Sequence, residues 1–551
     1  MAQVLPVPPV SPQDAQERRR AEERDGQLRE RLQPLREAEP GAIDGPLNAR
    51  LAEAESPCFV IDRVELNGDG HDQFAWVLDH LAGPDGLDGP QGRCLGSAGV
   101  LLVVQRAQNA LVQRGFVTSR ALVAPQELGA GRLVITLVPG RIRRVVFDDP
   151  VPGRANAANA LPARAGDLLN LRDIEQALEN FKRVPTVEAD IRIEPAPEPG
   201  LSDLHIRWTQ GLPVRLSLTL DDAGSKGTGR YQTSASLSVD NPLALNDLFY
   251  IGIQGDLGGG DPGRRGTNGR SLHYSVPFGH YLLALDLGRN GYHQSVAGAS
   301  QDYTYRGTSE SQGVTLTRLL HRGADHKTSV QFQFFARQSR NFIDDTEIEV
   351  QRRRVGGWQL GVGHRAHLGA GTLDLNLSHR RGTGAFNALR APEEAFGEGT
   401  SRFVLWQADA RWQWPFRWGD QPLRYSGQWR AQINRTPLSP QERFAIGGRH
   451  TVRGFDGESS LSADRGWLLR QEVVVPLADS GQAFFIGLDH GQVDGPSADR
   501  LVGTRLTGAV LGMRGTVSAL QYEWFAGWPL HRPDGFRTEN TALGFLLSAD
   551  F

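Results

Sequence analysis

The chain ends in an alternating stretch that decides its fold, Leu543-Gly544-Phe545-Leu546-Leu547-Ser548-Ala549-Asp550-Phe551. Side chains point to alternate faces of a strand, so the apolar side chains at every second position share one face. They are Leu543, Phe545, Leu547, Ala549 and Phe551. A strand that alternates to its final residue frays unless a sheet holds it. The pattern therefore predicts a closed barrel, in which the last strand pairs with the first.

A second stretch, Thr451-Val452-Arg453-Gly454-Phe455, lies far along a strand-rich region. Gly454 favours a tight turn, and Phe455 supplies an apolar anchor beside the arginine. An arbitrary arginine in such a loop is usually exposed on the surface. We interpret Arg453 instead as part of a functional loop that lies inside the barrel.

Length and composition limit the class of protein. The chain has 551 residues, so we expect about two to four units. The net charge of −3 gives no bulk attraction to nucleic acid, and no nucleic-acid partner is expected. No apolar run approaches the length of a membrane-spanning helix, but a transmembrane barrel needs only alternate apolar residues.

The N-terminus and the two cysteines bear on the cellular compartment in which the protein resides. Met1 to Pro6 contain no basic stretch followed by an apolar core, so we expect no signal peptide in this chain. The protein is then either cytoplasmic or a mature chain with an added start, and the barrel interpretation requires the second. Cys58 and Cys94 would stay thiols in the cytosol and could bridge in an oxidising periplasm, and counting alone leaves both open.

Residues 11–33 predict a helix that carries charges and no apolar stripe. Such a helix is neither a core helix nor a lipid-bound one. It is either a solvated leader or a polar plug that stands in a water-filled pore, and we expect the plug in residues 1–33. Residues 34–56, with Pro34, Pro40 and Pro46, are predicted to be a linker.

Two tandem α/β modules follow, in 57–139 and 140–210. In the first module the periodicity predicts strands and helices in a β-α-α-β-β order, at 59–66, 73–82, 97–114, 118–124 and 132–138. The second module repeats that order, at 141–147, near 155–165, and at 171–183, 187–193 and 203–209.

From 211 to 551 the pattern contains strands only, and the fold class is mainly β. A soluble antiparallel sandwich also alternates. Aromatic residues at strand ends and charged or amide side chains on the opposite faces favour a transmembrane barrel with a wet lumen. We expect about 16 antiparallel strands, with the count between 303 and 366 open by two.

Several motifs then resemble one known family in their order along the chain. Those of the two modules are Cys58-Phe59-Val60-Ile61, Arg114 to Arg120, Val138 to Ile142, Leu169 to Leu178 and Pro199 to Leu204. Those of the barrel are Asp240-Asn241-Pro242-Leu243, Val452-Arg453-Gly454-Phe455 and Gly487-Leu488-Asp489-His490-Gly491. Together they resemble the two-partner secretion transporters of the bacterial outer membrane, in which two periplasmic POTRA modules precede a barrel.

The resemblance implies a function and partners. Members export a large β-helical exoprotein, whether adhesin, cytolysin or contact-dependent inhibition toxin, without nucleotide or other cofactor. Folding of the exoprotein at the cell surface is thought to help draw it out. Expected partners are the exoprotein's N-terminal secretion domain, the barrel-assembly machinery and outer-membrane lipid, with the transporter a monomer and its POTRA modules in the periplasm.

The resemblance also implies roles for single residues. The loop 447–466 would fold into the lumen and pair Arg453 with Asp489, beside the loop residues Val452, Gly454 and Phe455 and the strand residues Gly487 and Gly491. The first module would carry a Cys58–Cys94 disulfide, with Cys94 in the loop between its helices, and a substrate groove at Thr118, Arg120 and Leu122. Phe551 would be the C-terminal assembly signal.

The sequence features leave two rival functions to compare. A barrel-assembly factor shares the loop motif but usually carries more POTRA modules than two. An enzyme anchored by a barrel would need a nucleophile motif before residue 57, and the sequence shows none. His364 and His367 lie three apart on a probable strand, hence on opposite faces, so no metal site is predicted.

Overall fold

The computed structural model describes residues 12–33, 48–148, 154–478 and 480–551. Helix α1 spans Pro12–Leu32. Ser11, the expected first residue of this helix, and residues 34–47 of the expected linker lie outside the described residues. Within the described part of the chain, no helix is both long and apolar enough to cross a membrane.

The first module is a small α/β unit. Its elements are β1 (Phe59–Ile61), β2 (Arg63–Asn67), a 3-10 helix (His71–His80), β3 (Arg93–Leu95), α2 (Ser97–Gln113), β4 (Arg120–Leu122) and β5 (Arg132–Val138). Strands β2, β5 and β4 form one sheet in that order, and β1 pairs with β3. The apolar faces of α2 and β5 meet in a core that includes Val103, Leu111, Leu133 and Ile135.

The structure corrects four details of the first module. The expected strand 59–66 breaks at Asp62, whose N–H bonds to Gly131 O. The expected helix 73–82 is the 3-10 helix His71–His80. Cys94 lies on β3, not in a loop between helices. The expected strand 118–124 shortens to β4, because Ser119 closes a turn onto Phe116 and Pro125 has no N–H to donate.

The second module contains β6 (Arg141–Phe147), α3 (Ala157–Ala160), α4 (Leu171–Lys182), β7 (Val187–Pro195) and β8 (Leu201–Gln210). The sheet order is β6, β8, β7. The helix expected near 155–165 is the four-residue α3 only, since Pro162 disfavours helical backbone in the residue before it. Asn156 and Asn170 cap α3 and α4 through their side-chain oxygens.

The remaining strands build the barrel. They are β9 (Val214–Asp221), β10 (Tyr231–Asp240), β11 (Leu248–Gly258), β12 (Arg265–Phe278), β13 (Tyr281–Ala297), β14 (Asp302–Arg322), β15 (His326–Ile343), β16 (Thr346–Glu347), β17 (Arg353–Leu368), β18 (Gly371–Thr383), β19 (Val404–Trp418), β20 (Gln421–Asn434), β21 (Phe444–Ile446), β22 (Leu461–Ala463), β23 (Arg465–Pro476), β24 (Gln482–Asp494), β25 (Arg505–Val517), β26 (Leu520–His531) and β27 (Ala542–Asp550).

Sixteen of these strands form one closed antiparallel barrel, which confirms the predicted fold. The two-residue β16 only extends the β15–β17 connection, and β21 and β22 pair with each other apart from the wall. The barrel closes where β27 pairs with β9. Phe551 completes that seam: its N–H bonds to Leu216 O at 2.8 Å, and Leu216 N–H bonds to Phe551 O at 3.0 Å.

The alternation predicted for the wall is present. On β9, Leu216 and Leu218 are exposed outward while Ser217 between them is buried on the lumen side. The second module sits at the rim where the strands turn back by short connections. Glu179 on α4 accepts a hydrogen bond from Lys327 Nζ at 2.7 Å, and Asn180 Nδ2 donates to Gly279 O at 2.8 Å. This module is therefore attached directly to the barrel.

Candidate functional site

A long connection between β20 and β23 turns into the lumen. This connection carries the β21–β22 hairpin. The inward segment therefore begins before residue 447, the expected start. Residues 465 and 466, the expected end, belong to wall strand β23. Val452 and Phe455 are buried with Ile446, Leu461 and Leu506 in an apolar cluster between hairpin and wall. Burial of this cluster positions the intervening residues against the barrel.

Arg453 pairs with Asp489 of β24. Its Nε donates to Asp489 Oδ2 at 2.7 Å and its Nη2 donates to Oδ1 at 2.9 Å. The backbone N–H of Arg453 donates to Oδ2 as well, at 2.9 Å. Both side chains are buried, Asp489 completely. A planar guanidinium makes this two-bond contact and lysine does not.

A second carboxylate, which the sequence did not suggest, completes the contact. Glu472 on the neighbouring strand β23 accepts a hydrogen bond from Arg453 Nη1 at 2.7 Å. Arg514 on β25 pairs with the other oxygen of Glu472. Arg453 is therefore held between two acids on adjacent strands, and Glu472 is itself neutralised from the far side. In the sequence, the one sign that could have pointed to Glu472 is an acid on the lumen side of the strand next to Asp489.

Glycines on the wall let the loop approach. A Cβ at Gly487 would lie 2.7 Å from Arg453 Nη2, and one at Gly491 would lie 2.9 Å from Val452 Cγ2. Two further wall glycines, not predicted, are more restrictive. A Cβ at Gly508 would lie 1.8 Å from Arg453 O, and one at Gly527 would lie 2.8 Å from Gly454 Cα. Glycine in a strand marks such a close backbone approach.

Gly454 has its own requirement. Its φ of +102° lies in a region that L side chains rarely adopt. A Cβ there would also meet Trp528 O at 2.6 Å. The turn that the sequence predicted is thus needed both for conformation and for space.

Helix α1 lies inside the lumen against this loop. Arg18 Nη2 lies 3.3 Å from Glu442 Oε1, and Arg20 Nη2 donates to Gly457 O at 2.6 Å. Glu442 also faces two arginines of the wall, Arg337 at 3.4 Å and Arg380 at 3.2 Å. One buried carboxylate of the loop therefore joins the helix to the wall.

The rest of the helix reaches strands on different sides of the barrel. Arg31 contacts Thr219 of β9, Arg29 Nη1 lies 3.5 Å from Asp286 of β13, and Glu30 accepts from Arg411 of β19 at 2.8 Å. These contacts hold the helix across the lumen. A cavity of 670 Å³ remains beside it, lined by charged side chains of helix, loop and wall. The helix thus stands in the lumen, the position that the plug interpretation requires.

The expected groove residues occupy the first module separately from the barrel. Arg120 and Leu122 lie on one face of β4, and Leu122 is 51% exposed. Thr118 precedes the strand and lies against Gly140, where a Cβ would come within 2.0 Å of its Oγ1. Strand β4 is an edge strand, since it pairs with β5 alone in this sheet. The structure therefore brings Arg120 and Leu122 together and sets Thr118 apart.

Each module contains a link between two of its strands or segments, a disulfide in the first and an ion pair in the second. Cys58 and Cys94 form a disulfide in the first module. In the second module, a bulge in β6 lets the consecutive residues Arg143 and Arg144 both reach Asp203 of β8. Hydrogen bonds from Arg143 hold the pKa of Asp203 well below its usual range. Desolvation acts in the opposite direction and raises this pKa, and Arg144 lowers it further.

Comparison with known proteins places the whole chain. The family model described as haemolysin secretion/activation protein ShlB/FhaC/HecB matches residues 200–515. Two POTRA models match residues 59–140, in a ShlB-type form, and residues 141–195. These matches cover both modules and most of the barrel.

Two relatives and one solved structure illustrate the similarity. "Outer membrane transporter CdiB-2" of Burkholderia pseudomallei is 35% identical over 98% of this chain and 93% of its own length. "Hemolysin transporter protein ShlB" of Serratia marcescens is 24% identical over 79% of this chain and 74% of its own. The solved structure "CdiB from Acinetobacter baumannii" superposes with a TM-score of 0.87 at 31% identity and covers 98% of each chain.

Proposed function

Because this chain belongs to the haemolysin secretion/activation protein family, it is an outer-membrane transporter of two-partner secretion, and we propose that it exports one large β-helical exoprotein. The POTRA modules face the periplasm and receive the exoprotein's N-terminal secretion domain in an extended form. The barrel then conducts it outward. The exoprotein is an adhesin, a cytolysin or a contact-dependent inhibition toxin.

The observation that carries this proposal is the polar helix across the lumen. Its contacts with loop and wall are ion pairs and hydrogen bonds, such as Arg20 with Gly457 O and Glu30 with Arg411. Water replaces the exposed contact of Glu30 with Arg411 at little cost, since exposed ion pairs contribute only about 0–1 kcal/mol each. An export channel needs a plug that closes the pore at rest and leaves when the exoprotein arrives.

The inward loop is the second part of the device. Arg453, with Asp489 and Glu472, would hold the hairpin against the wall, so that the exoprotein passes a defined surface. Val452, Gly454, Phe455, Gly487 and Gly491 would shape that contact. In the first module, Thr118, Arg120 and Leu122 would contribute to the surface that receives the secretion domain.

Further partners follow from the same proposal. The barrel-assembly machinery would insert the barrel and read Phe551 at its seam, and outer-membrane lipid would cover the exposed apolar faces of the strands. The transporter would act as a monomer, without cofactor and without catalysis of its own. Folding of the exoprotein outside the cell would supply the driving force.

The test is to remove or to trap the plug. Deleting residues 1–33 should raise ion conductance in planar bilayers while the barrel stays folded. Gln27 and His450 lie 2.8 Å apart between helix and loop. Replacing both by cysteine, in a chain that carries Cys58→Ser and Cys94→Ser, and joining them with a short bis-maleimide should block secretion. Each single cysteine variant treated alike is the control. Secretion through the joined transporter would refute the release of the plug, whereas absence of secretion by the unmodified transporter would refute export itself.

A further inference from the structure

The free edge of the first module's sheet is occupied by a side chain. Gln108 on α2 donates from Nε2 to Ser119 O at 3.0 Å, and its Oε1 accepts from Ala121 N–H at 2.9 Å. Ala121 is the middle residue of edge strand β4. The carboxamide thus takes one carbonyl and one N–H of the edge, the two kinds of group that a neighbouring strand would take.

The same device recurs at a second position in this sheet. Gln126 donates from Nε2 to Val134 O at 2.9 Å and accepts from Val134 N–H at 2.8 Å. Val134 lies on β5 beyond the point where β4 stops pairing, since the last pair is Leu122 with Thr136. Two glutamines therefore each cover one N–H and one carbonyl that no strand reaches. Only Gln108 does so on the outer strand, where another chain has access.

The surroundings of Gln108 suit an extended polypeptide. On β4 and just after it, Leu122 is 51% and Val123 is 40% exposed. On α2, Leu101 is 55% exposed and lies seven residues before Gln108, on the same side of the helix. A strand laid between α2 and β4 would gain backbone hydrogen bonds from the edge and bury apolar side chains on both flanks.

We propose that Gln108 occupies the exoprotein's docking edge in the free transporter and is displaced when an extended segment of the exoprotein pairs with β4. This inference rests on the proposed function, in which the first module receives an extended secretion domain. The carboxamide makes the edge selective. A short or irregular peptide only exchanges two hydrogen bonds for two others, whereas a segment that pairs along the strand and fills the flanks gains more than Gln108 supplies.

The experiment uses the full-length transporter in detergent and, as probe, the purified N-terminal secretion segment of the exoprotein encoded in the neighbouring reading frame. Gln108→Ala removes the competitor without touching β4. Since the segment no longer has to displace two hydrogen bonds, it should bind roughly tenfold more tightly. The amide of Ala121 should also exchange faster before the segment is added. Gln126→Ala, which removes the carboxamide bonded to Val134 on the inner strand β5, should leave the affinity unchanged.

The outcomes separate this inference from the proposed function. No binding of the segment to the wild-type transporter would refute the proposed role of the module. If the segment binds the wild type and binds Gln108→Ala equally or more weakly, the proposal that Gln108 is displaced is overturned, while the proposed function stands. If Gln108→Ala fails to assemble, Gln108→Met, which keeps the length and lacks the carboxamide, must show the same gain in affinity.

Discussion

Arg453 and Asp489 are joined by three hydrogen bonds, two from the guanidinium and one from the backbone N–H of Arg453. The carboxylate therefore holds the backbone of the inward loop as well as its side chain. Because Asp489 has no exposed surface, its charge is balanced chiefly by Arg453, with Arg470 Nε farther away at 3.9 Å. The pair fixes the position of the loop tip on β24.

Breaking the pair should stop export without removing the barrel. Arg453→Ala removes the guanidinium partner of the buried Asp489, and Asp489→Ala leaves Arg453 paired with Glu472 alone. Breaking a buried pair typically costs about 3–5 kcal/mol. Secreted exoprotein should fall more than tenfold in each variant, and more in Asp489→Ala, which also loses the bond to the loop backbone. Secretion is measured by immunoblot of culture supernatant against transporter levels in outer membranes.

The double variant tests coupling. It should secrete no less than the worse single variant, because the two residues act as one unit. The matched control is Arg500→Ala, which breaks an exposed ion pair with Glu398 and should leave secretion unchanged. Strictly additive losses for Arg453 and Asp489 would show that the pair does not act as described.

Wall glycines should tolerate no side chain where the loop touches them. Gly508→Ala would set a methyl group within 1.8 Å of Arg453 O, so the loop tip must leave its place. We expect secretion to fall about as far as in Arg453→Ala, with the heat-modifiable mobility of the folded barrel retained. Gly255→Ala on β11 is the control, since its Cβ would meet Thr267 O at an ordinary 3.4 Å. Equal secretion by both glycine variants would contradict the close approach.

Glu442 should matter more to the plug than its helix partner does. Glu442→Ala leaves three arginines, Arg18, Arg337 and Arg380, with Glu22 as the remaining acid beside them. The excess positive charge should loosen α1 and raise resting conductance several-fold. Arg18→Ala leaves Glu442 paired with its two wall arginines and should raise conductance less. Planar-bilayer recordings compare the two, with the exposed Glu349→Ala as control. A larger effect of Arg18→Ala would exclude Glu442 as the link between helix and wall.

The second module should lose stability in acid through Asp203. Its folded-state pKa is depressed by Arg143, so it contributes stability that is fully present above the unfolded pKa, about 3.9, and is lost as the pH falls from there through the depressed folded pKa. Hydrogen exchange of β8 peptides in the full-length protein should rise steeply below that pH. Asp203→Asn should exchange faster at pH 7 and show a flatter acid profile, whereas the exposed Asp190→Asn should follow the wild type. An unchanged acid profile in Asp203→Asn would be the contrary result.

Much of the architecture followed from residue patterns, because those patterns are local. The period-two alternation on β9 and β27 indicated which faces turn outward, and Leu216 and Ser217 lie as it predicted. The alternation up to Phe551 predicted a closed seam, and the bonds between Phe551 and Leu216 confirm it. Local patterns failed where neighbours override propensity. Strand 118–124 is shorter than predicted because Pro125 and a turn at Ser119 end its pairing.

The site was only partly visible in the sequence. Arg453 and Gly454 stood out through the motif, but Glu472, Gly508 and Gly527 lie on three different strands with no motif that links them to the loop. Composition likewise left α1 open between a solvated leader and a plug. A polar helix has no apolar stripe that would indicate its surroundings.

The sequence by itself determined the mainly β barrel, the two α/β modules before it and the arginine turn, since each depends on periodicity or turn chemistry within a short window. Tertiary structure alone decided which acids hold Arg453, that α1 stands in the lumen, and that Gln108 covers the edge of β4. The physical reason is that closure of the barrel brings distant strands around one lumen. Ion pairs and hydrogen bonds between them depend on distances of a few ångströms, which spacing along the chain does not specify.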